Sequence, residues 1–448
     1  MPQVFPFTAI QYTDFTAIGT KIAPPYDVLS AKDKQALLHR DARNIVAIDL
    51  PHVPPKQLGP IEAYQDAATT LQLWLSDGTL ARRGKPVMFA YRQSFDFLGQ
   101  HYQRCGMCCT VETVPFGPRT GGGILPHEQT FSGPKEDRFA LMRETQTQMS
   151  PIFGLHPDDD GAATKLVRSV MDSRDPDIST TLGEGPKLVT EEVWIIDDDE
   201  TMKAYEDALD GEDVFIADGH HRYNTALNYL EYLKQAGDVA EDHPARRTMM
   251  VMVSMSDPGL AIGPTHRVLG GMAHYTFDAF CDTAKDLLSI ETVSGGIDSI
   301  EAAMHSKGET HVNVLGLYDF ATQRAAICTP RDPDPLQATC ANRHESWRQL
   351  DVALVQHLIV EQICAPKLND GNDVKWAFPH SIPEVLEIGE GSETGAGGGA
   401  GFAQLAVIVR PTPLQSVRDV SKANELMPQK STFFYPKLAT GLFMNPLA

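Results

Sequence analysis

Three short apolar runs, VWIID at 193 to 197, VFIA at 214 to 217 and MMVMVSM at 249 to 255, are bounded by turn residues, as strands buried on both faces are. Between the last two, Tyr223, Ala226, Leu227, Leu230 and Leu233 fall at i, i+3, i+4, i+7 and i+10, one stripe of an amphipathic helix. Strand, helix and strand in that order predict a β-α-β unit and place the chain in the α/β class. VMFAYRQSF and RCGMCCTVET read as a hairpin, Asp66 to Leu75 as a helix, 350 to 364 as a buried helix and 403 to 412 as a strand. The expected architecture is mixed α/β (α+β), with an N-terminal accessory region over 1–115, a core over 116–300 and a C-terminal region over 301–448. Within the last, the glycine-rich stretch 387–401 has the composition of a flexible loop.

Charge and cysteine content narrow the function classes. The formal net charge of -21 repels phosphate backbones over the surface as a whole, which disfavours general nucleic-acid binding. No run approaches the roughly 20 apolar residues that cross a bilayer, and MPQVFPFTAIQYTDF lacks the features of a secretory signal, so no membrane role and a cytoplasmic location are expected. Seven irregularly spaced cysteines make no disulfide framework. On a strand, Cys105 and Cys109 would face one way and Cys108 the other, which predicts core packing rather than a metal site.

The chemistry concentrates where VFIA ends. Asp218, Gly219, His220, His221 and Arg222 stand at the junction of a buried strand and a helix, where unpaired backbone amides and the helix dipole favour an anion. Gly219 permits close backbone approach, Arg222 offers a fork for phosphate or carboxylate, and the histidines can donate to oxygen anions or move protons. Asp218 can hold Mg²⁺, act as a base or cap the helix. A second box, Ile124 to Thr130, follows a glycine run and sets His127 beside Glu128, a candidate base or ligand whose bland reading is a capping Glu. A third, GPTHRV, combines Thr265, His266 and Arg267 and could grip an anion from a second side; an ordinary surface ion pair is the alternative.

Near the C-terminus, Lys430, Ser431 and Thr432 lack the glycines of a nucleotide-binding P-loop, although Lys430 and Lys437 can each reach a phosphate. Tyr26 and Asp27 sit in a proline-stiffened turn that either supports structure or touches substrate. The absence of HExxH, GxSxG and GxGxxG removes the usual support for zinc peptidase, serine hydrolase and Rossmann dehydrogenase readings.

Together, PPYDVLS, LPHEQT, IADGHHRYNTA, GPTHRV and PQKSTFFYPKLATGL resemble a widespread bacterial family of uncharacterised proteins over nearly the whole chain. The central box is also similar to that of the ParB/sulfiredoxin-like superfamily, where a strand-loop-helix of this kind binds a nucleotide phosphate. Some members are free-serine kinases that use ADP or ATP, with a Glu of an early box and the Asp of the later one as the catalytic pair. That resemblance implies a ParB/sulfiredoxin-like core and maps the pair onto Glu128 and Asp218. About 90 residues separate the two, more than the compact core uses, so an insertion is expected.

The expectation is a small-molecule phosphotransferase acting on free serine or O-phosphoserine, with ATP, ADP or pyrophosphate as the phosphate partner and Mg²⁺ at Asp218. Glu128, Asp218, His220 and His221 would be catalytic. Gly219, Arg222, Thr265, His266, Arg267 and Lys430 would bind phosphate, and Tyr26, Asp27, His127 and Lys437 would bind substrate. A non-catalytic nucleotide-binding switch and a phosphoserine phosphatase are the alternatives, and oligomerisation is left open.

Overall fold

The structure, a computed structural model, describes residues 2–55, 57–128, 132–391 and 401–448. The chain is mixed α/β and forms two compact units, Met1–Ala261 with Phe434–Ala448, and Ile262–Phe433. Among the described residues no helix is long and apolar enough to cross a membrane.

The first unit is built on a nine-stranded sheet. Its strands are β1 (Val4–Phe5), β2 (Met88–Phe97), β3 (Gln100–Glu112), β4 (Ile124–Leu125), β5 (Ile152–His156), β6 (Ile178–Leu182), β7 (Val189–Ile196), β8 (Val214–Asp218) and β9 (Arg247–Ser254). They lie in the order β4-β8-β5-β9-β3-β2-β7-β6, with β1 beside β3. The hairpin is β2 and β3, turning at Leu98 and Gly99, both at positive φ. Cys105 and Cys109 join the core cluster on one face with Met107, Ile216 and Met252, while Cys108 is buried outside that cluster, so the alternation holds and all three thiols are free.

The β-α-β expectation needs correction. The helix α1 (His220–Ala236) does join β8 to β9, but β5 lies between those strands, antiparallel to β8 and parallel to β9. The two strands therefore run opposite ways. Side-chain periodicity identifies an element, whereas its direction is set by pairing with strands remote in sequence.

The second unit holds a six-stranded antiparallel sheet of β10 (Arg267–Gly270), β11 (Leu288–Val293), β12 (Leu315–Asp319), β13 (Ala325–Pro330), β14 (Lys375–Ala377) and β15 (Ala403–Ile408), ordered β11-β13-β12-β15-β10-β14. Leu405 and Val407 pack into one core and Ala406 and Ile408 into another, so helices cover both faces. The buried helix expected over 350–364 is present, but Val355–Cys364 is wound as a π-helix. The expected flexible loop begins inside a helix, Ile382–Gly389, and its stretch 392–400 lies outside the described residues.

Candidate functional site

The two acid-bearing boxes meet at one edge of the first sheet. β4 and β8 are parallel neighbours with Ile124 opposite Val214 and Leu125 opposite Phe215, so the chain leaves both strands at the same end. The backbone N–H of His127 donates to Nε2 of His220 at 3.3 Å, and the two rings meet edge to face with centroids 4.7 Å apart. Nδ1 of His127 donates to the Ile216 carbonyl at 2.8 Å, which leaves its Nε2 directed toward Glu128 Oε1 at 3.8 Å. Burial holds both imidazoles below their ordinary pKa, although the Glu128 carboxylate pulls His127 the other way. Glu128 is 20% exposed, while Gln129 and Thr130 of the same box lie outside the described residues.

Asp218 closes β8, and Gly219, at φ 99°, turns the chain into α1. That φ is left-handed, and a Cβ there would also press on the Arg222 guanidinium at 3.1 Å. The turn lets Arg222, one helical turn on, donate from Nη2 to Asp218 Oδ2 at 2.6 Å, while its Nη1 donates to the Pro151 carbonyl. Oδ1 of the same carboxylate accepts the Lys437 ammonium. Burial alone would raise the Asp218 pKa, but Lys437 and Arg222 together hold it well below the usual carboxylate range. One carboxylate between two cations at a helix N-terminus leaves this trio with a net positive charge, and that suits an anion. It suits a metal ion poorly, since both Asp218 oxygens already accept cations; among the described residues no group of three His, Cys, Asp or Glu side chains is placed to hold a metal ion.

Behind Arg222 lies an ionic network that spacing did not reveal. The Arg138 guanidinium donates to the Asp49 carbonyl at 2.6 Å and pairs with Asp137, whose other oxygen accepts from Tyr64 at 2.8 Å. A cavity of about 40 Å³, lined in part by Asp49, Arg138, Gln148 and Arg222, separates this network from the site and has room for about one water. Tyr26 is buried with the centroid of its ring 4.0 Å from the Arg138 guanidinium carbon. Asp27 Oδ1 is buried with no hydrogen-bond partner among the described residues.

The expected site residues divide between the units. His127, Glu128, Asp218, Gly219, His220, His221, Arg222 and Lys437 belong to the first, with His221 half-buried on the first turn of α1. Thr265, His266, Arg267 and Lys430 belong to the second. There Arg267 is 2% exposed, donates to the carbonyls of Thr265 and Lys430, and lies against Phe378. His266 accepts the Val409 amide at Nδ1, and burial lowers its pKa to about 4, so it stays neutral. Lys430 is exposed, at φ 59°.

The chain matches no curated protein. Among solved structures it is similar to a free serine kinase in complex with AMP, at 11% identity and TM-score 0.32 over 73% of this chain and 95% of that one. A conserved hypothetical protein from Pyrococcus furiosus is similar at 12% identity and TM-score 0.31, over 72% of this chain and 95% of that one. SbnI with C-terminal truncation from Staphylococcus aureus is similar at 8% identity and TM-score 0.32, over 72% and 84%. In sequence, residues 4–353 match the family described as a protein of unknown function (DUF1015), and the chain belongs to that family.

Proposed function

We propose that the first unit carries a phosphoryl-transfer centre for a small hydroxylated amino acid, with free serine or O-phosphoserine as substrate and ATP, ADP or pyrophosphate as phosphate partner. The observation that carries this reading is the Asp218 carboxylate held between Lys437 and Arg222 at the start of α1, beside the strand end that presents Glu128. Phosphoryl transfer needs little covalent help from a protein; it needs fixed positive charge and an oriented hydroxyl. In this reading Arg222, Lys437 and the backbone from Gly219 to His221 take the phosphates.

Glu128 accepts the proton of the serine hydroxyl as that oxygen bonds to the terminal phosphorus. The bond from phosphorus to the bridging oxygen breaks, and the leaving phosphate carries its charge onto the two cations. His127 and His220, kept neutral by burial, pack behind Glu128 and Asp218. Asp218 serves as the anchor that orients both cations, and any Mg²⁺ travels on the polyphosphate. The same centre can run in reverse, from phosphoserine toward serine.

The test is incubation of the purified protein with serine, Mg²⁺ and each of ATP, ADP and pyrophosphate, with phosphoserine followed by mass spectrometry. Phosphoserine formation is the expected result. Nucleotide binding without turnover would replace this reading with a regulatory switch, and phosphoserine loss without nucleotide would replace it with a phosphatase.

A further inference from the structure

A row of buried polar side chains crosses the middle of the first sheet. Register places Glu191 of β7 opposite Gln93 of β2, and Gln93 opposite Arg104 of β3, so the three stand side by side on one face. None is more than 2% exposed. The Glu191 carboxylate accepts from the Tyr91 hydroxyl and from Gln93 Nε2 at 3.1 Å, and Gln93 Oε1 accepts from Arg104. Burying a carboxylate and a guanidinium costs more than burying an apolar row of the same shape, so stability alone does not explain these residues.

Their remaining hydrogen bonds go to one place. Arg104 Nη1 donates to the Tyr435 carbonyl at 3.1 Å, Arg104 Nη2 to the Pro436 carbonyl at 2.6 Å, and Gln93 Nε2 to the Lys437 carbonyl at 3.2 Å. Three consecutive carbonyls are thus held by two side chains from neighbouring strands. Apolar contacts such as that of Phe434 on Phe153 tolerate sliding, whereas a guanidinium fork fixes both distance and direction. The residue at the end of the clamped stretch is the one whose ammonium meets Asp218.

We propose that Arg104 and Gln93, backed by Glu191, are positioning residues that set the main chain of Tyr435 to Lys437 and thereby hold the Lys437 ammonium at Asp218. The effect on turnover rests on the phosphotransfer reading. The effect on Lys437 does not.

The test uses the full chain with Arg104→Lys, which keeps the charge and loses the fork, and Gln93→Leu. Each is treated with limiting acetic anhydride, and acetylation of Lys437 is measured by peptide mass spectrometry relative to the exposed Lys203. Acetylation of Lys437 is expected to rise about ten-fold in both variants, roughly the worth of one net hydrogen bond, with Lys203 unchanged. In the serine assay kcat should fall while KM for serine holds.

Unchanged Lys437 acetylation in a variant that circular dichroism shows to be folded overturns the proposal, even if the wild type makes phosphoserine. Increased acetylation supports it even if the wild type makes none, in which case the phosphotransfer reading alone falls. Gln93→Leu decides the matter if Arg104→Lys does not fold.

Discussion

The His127 amide donates to the His220 ring nitrogen at 3.3 Å, which joins two boxes 93 positions apart by one hydrogen bond and fixes His220 as the neutral Nδ1–H tautomer. Replacing His220 by Phe keeps a ring in the contact but removes the acceptor. The buried His127 amide then loses this acceptor, at an expected cost of about 1–3 kcal/mol in urea unfolding. An unchanged unfolding midpoint would separate the two boxes energetically.

Glu128 is partly exposed, so Glu128→Gln should leave stability within about 0.5 kcal/mol of wild type. Phosphoserine production should fall by about 10²–10⁴-fold, the usual worth of a general base. Wild-type turnover in this variant would remove Glu128 from the proposed chemistry.

Asp218→Asn strips the counter-charge from two partly buried cations. Turnover should be lost and stability should drop by about 3–5 kcal/mol, as when one partner of a buried pair is removed. Pyrophosphate, which competes with Asp218 for the same cations, should bind the variant more tightly by titration calorimetry. Weaker binding would mean that Lys437 and Arg222 do not face the ligand.

Glu191 and Asp218 predict opposite pH slopes. Burial raises Glu191 from 4.5 to about 7, so the folded state keeps a proton that the unfolded chain has released. Its contribution is complete below pH 4.5 and is lost as pH rises through 7, a decline of about 3 kcal/mol at about 1.4 kcal/mol per unit. Asp218 is depressed, so its contribution is present above the ordinary carboxylate range and is lost as pH falls below it. Urea titrations from pH 4 to 8 should show the Glu191 decline in wild type and a flatter profile in Glu191→Gln. An identical profile in both would reassign the slope to another group.

Gly219→Ala forces a side chain into left-handed backbone and against Arg222. A loss of about 1–2 kcal/mol is expected from the backbone alone, together with weaker pyrophosphate binding as the guanidinium shifts. Full affinity would show that Arg222 tolerates displacement.

The parts of this site that could be read from sequence are those where one local pattern carried both fold and chemistry. An apolar run ending in Asp218-Gly219 marks a strand end, a left-handed turn and a helix start in consecutive residues. For Lys437 the sequence offers a cation able to reach phosphate or substrate but no sign of its partner, because nothing local says that the carbonyls of its segment are held by side chains from strands in the first half of the chain. Gln93, Arg104 and Glu191 did leave a trace. In VMFAYRQSF, Gln93 holds the same parity as the buried Phe89, Tyr91 and Phe95, and a polar residue at an inward position signals a partner elsewhere. Asp49, Arg138 and Asp137 left none, since their approach depends on how separate helices pack.

Lys437 follows Asp218 by 219 positions, and the whole second unit is threaded between them. On a ribosome adding about 5–20 residues per second, the newly made carboxylate waits on the order of ten to forty seconds with Arg222 as its cation before the lysine exists. The centre is therefore finished late in synthesis, and a nascent chain stalled inside the second unit carries both acid-bearing boxes without the lysine that meets Asp218.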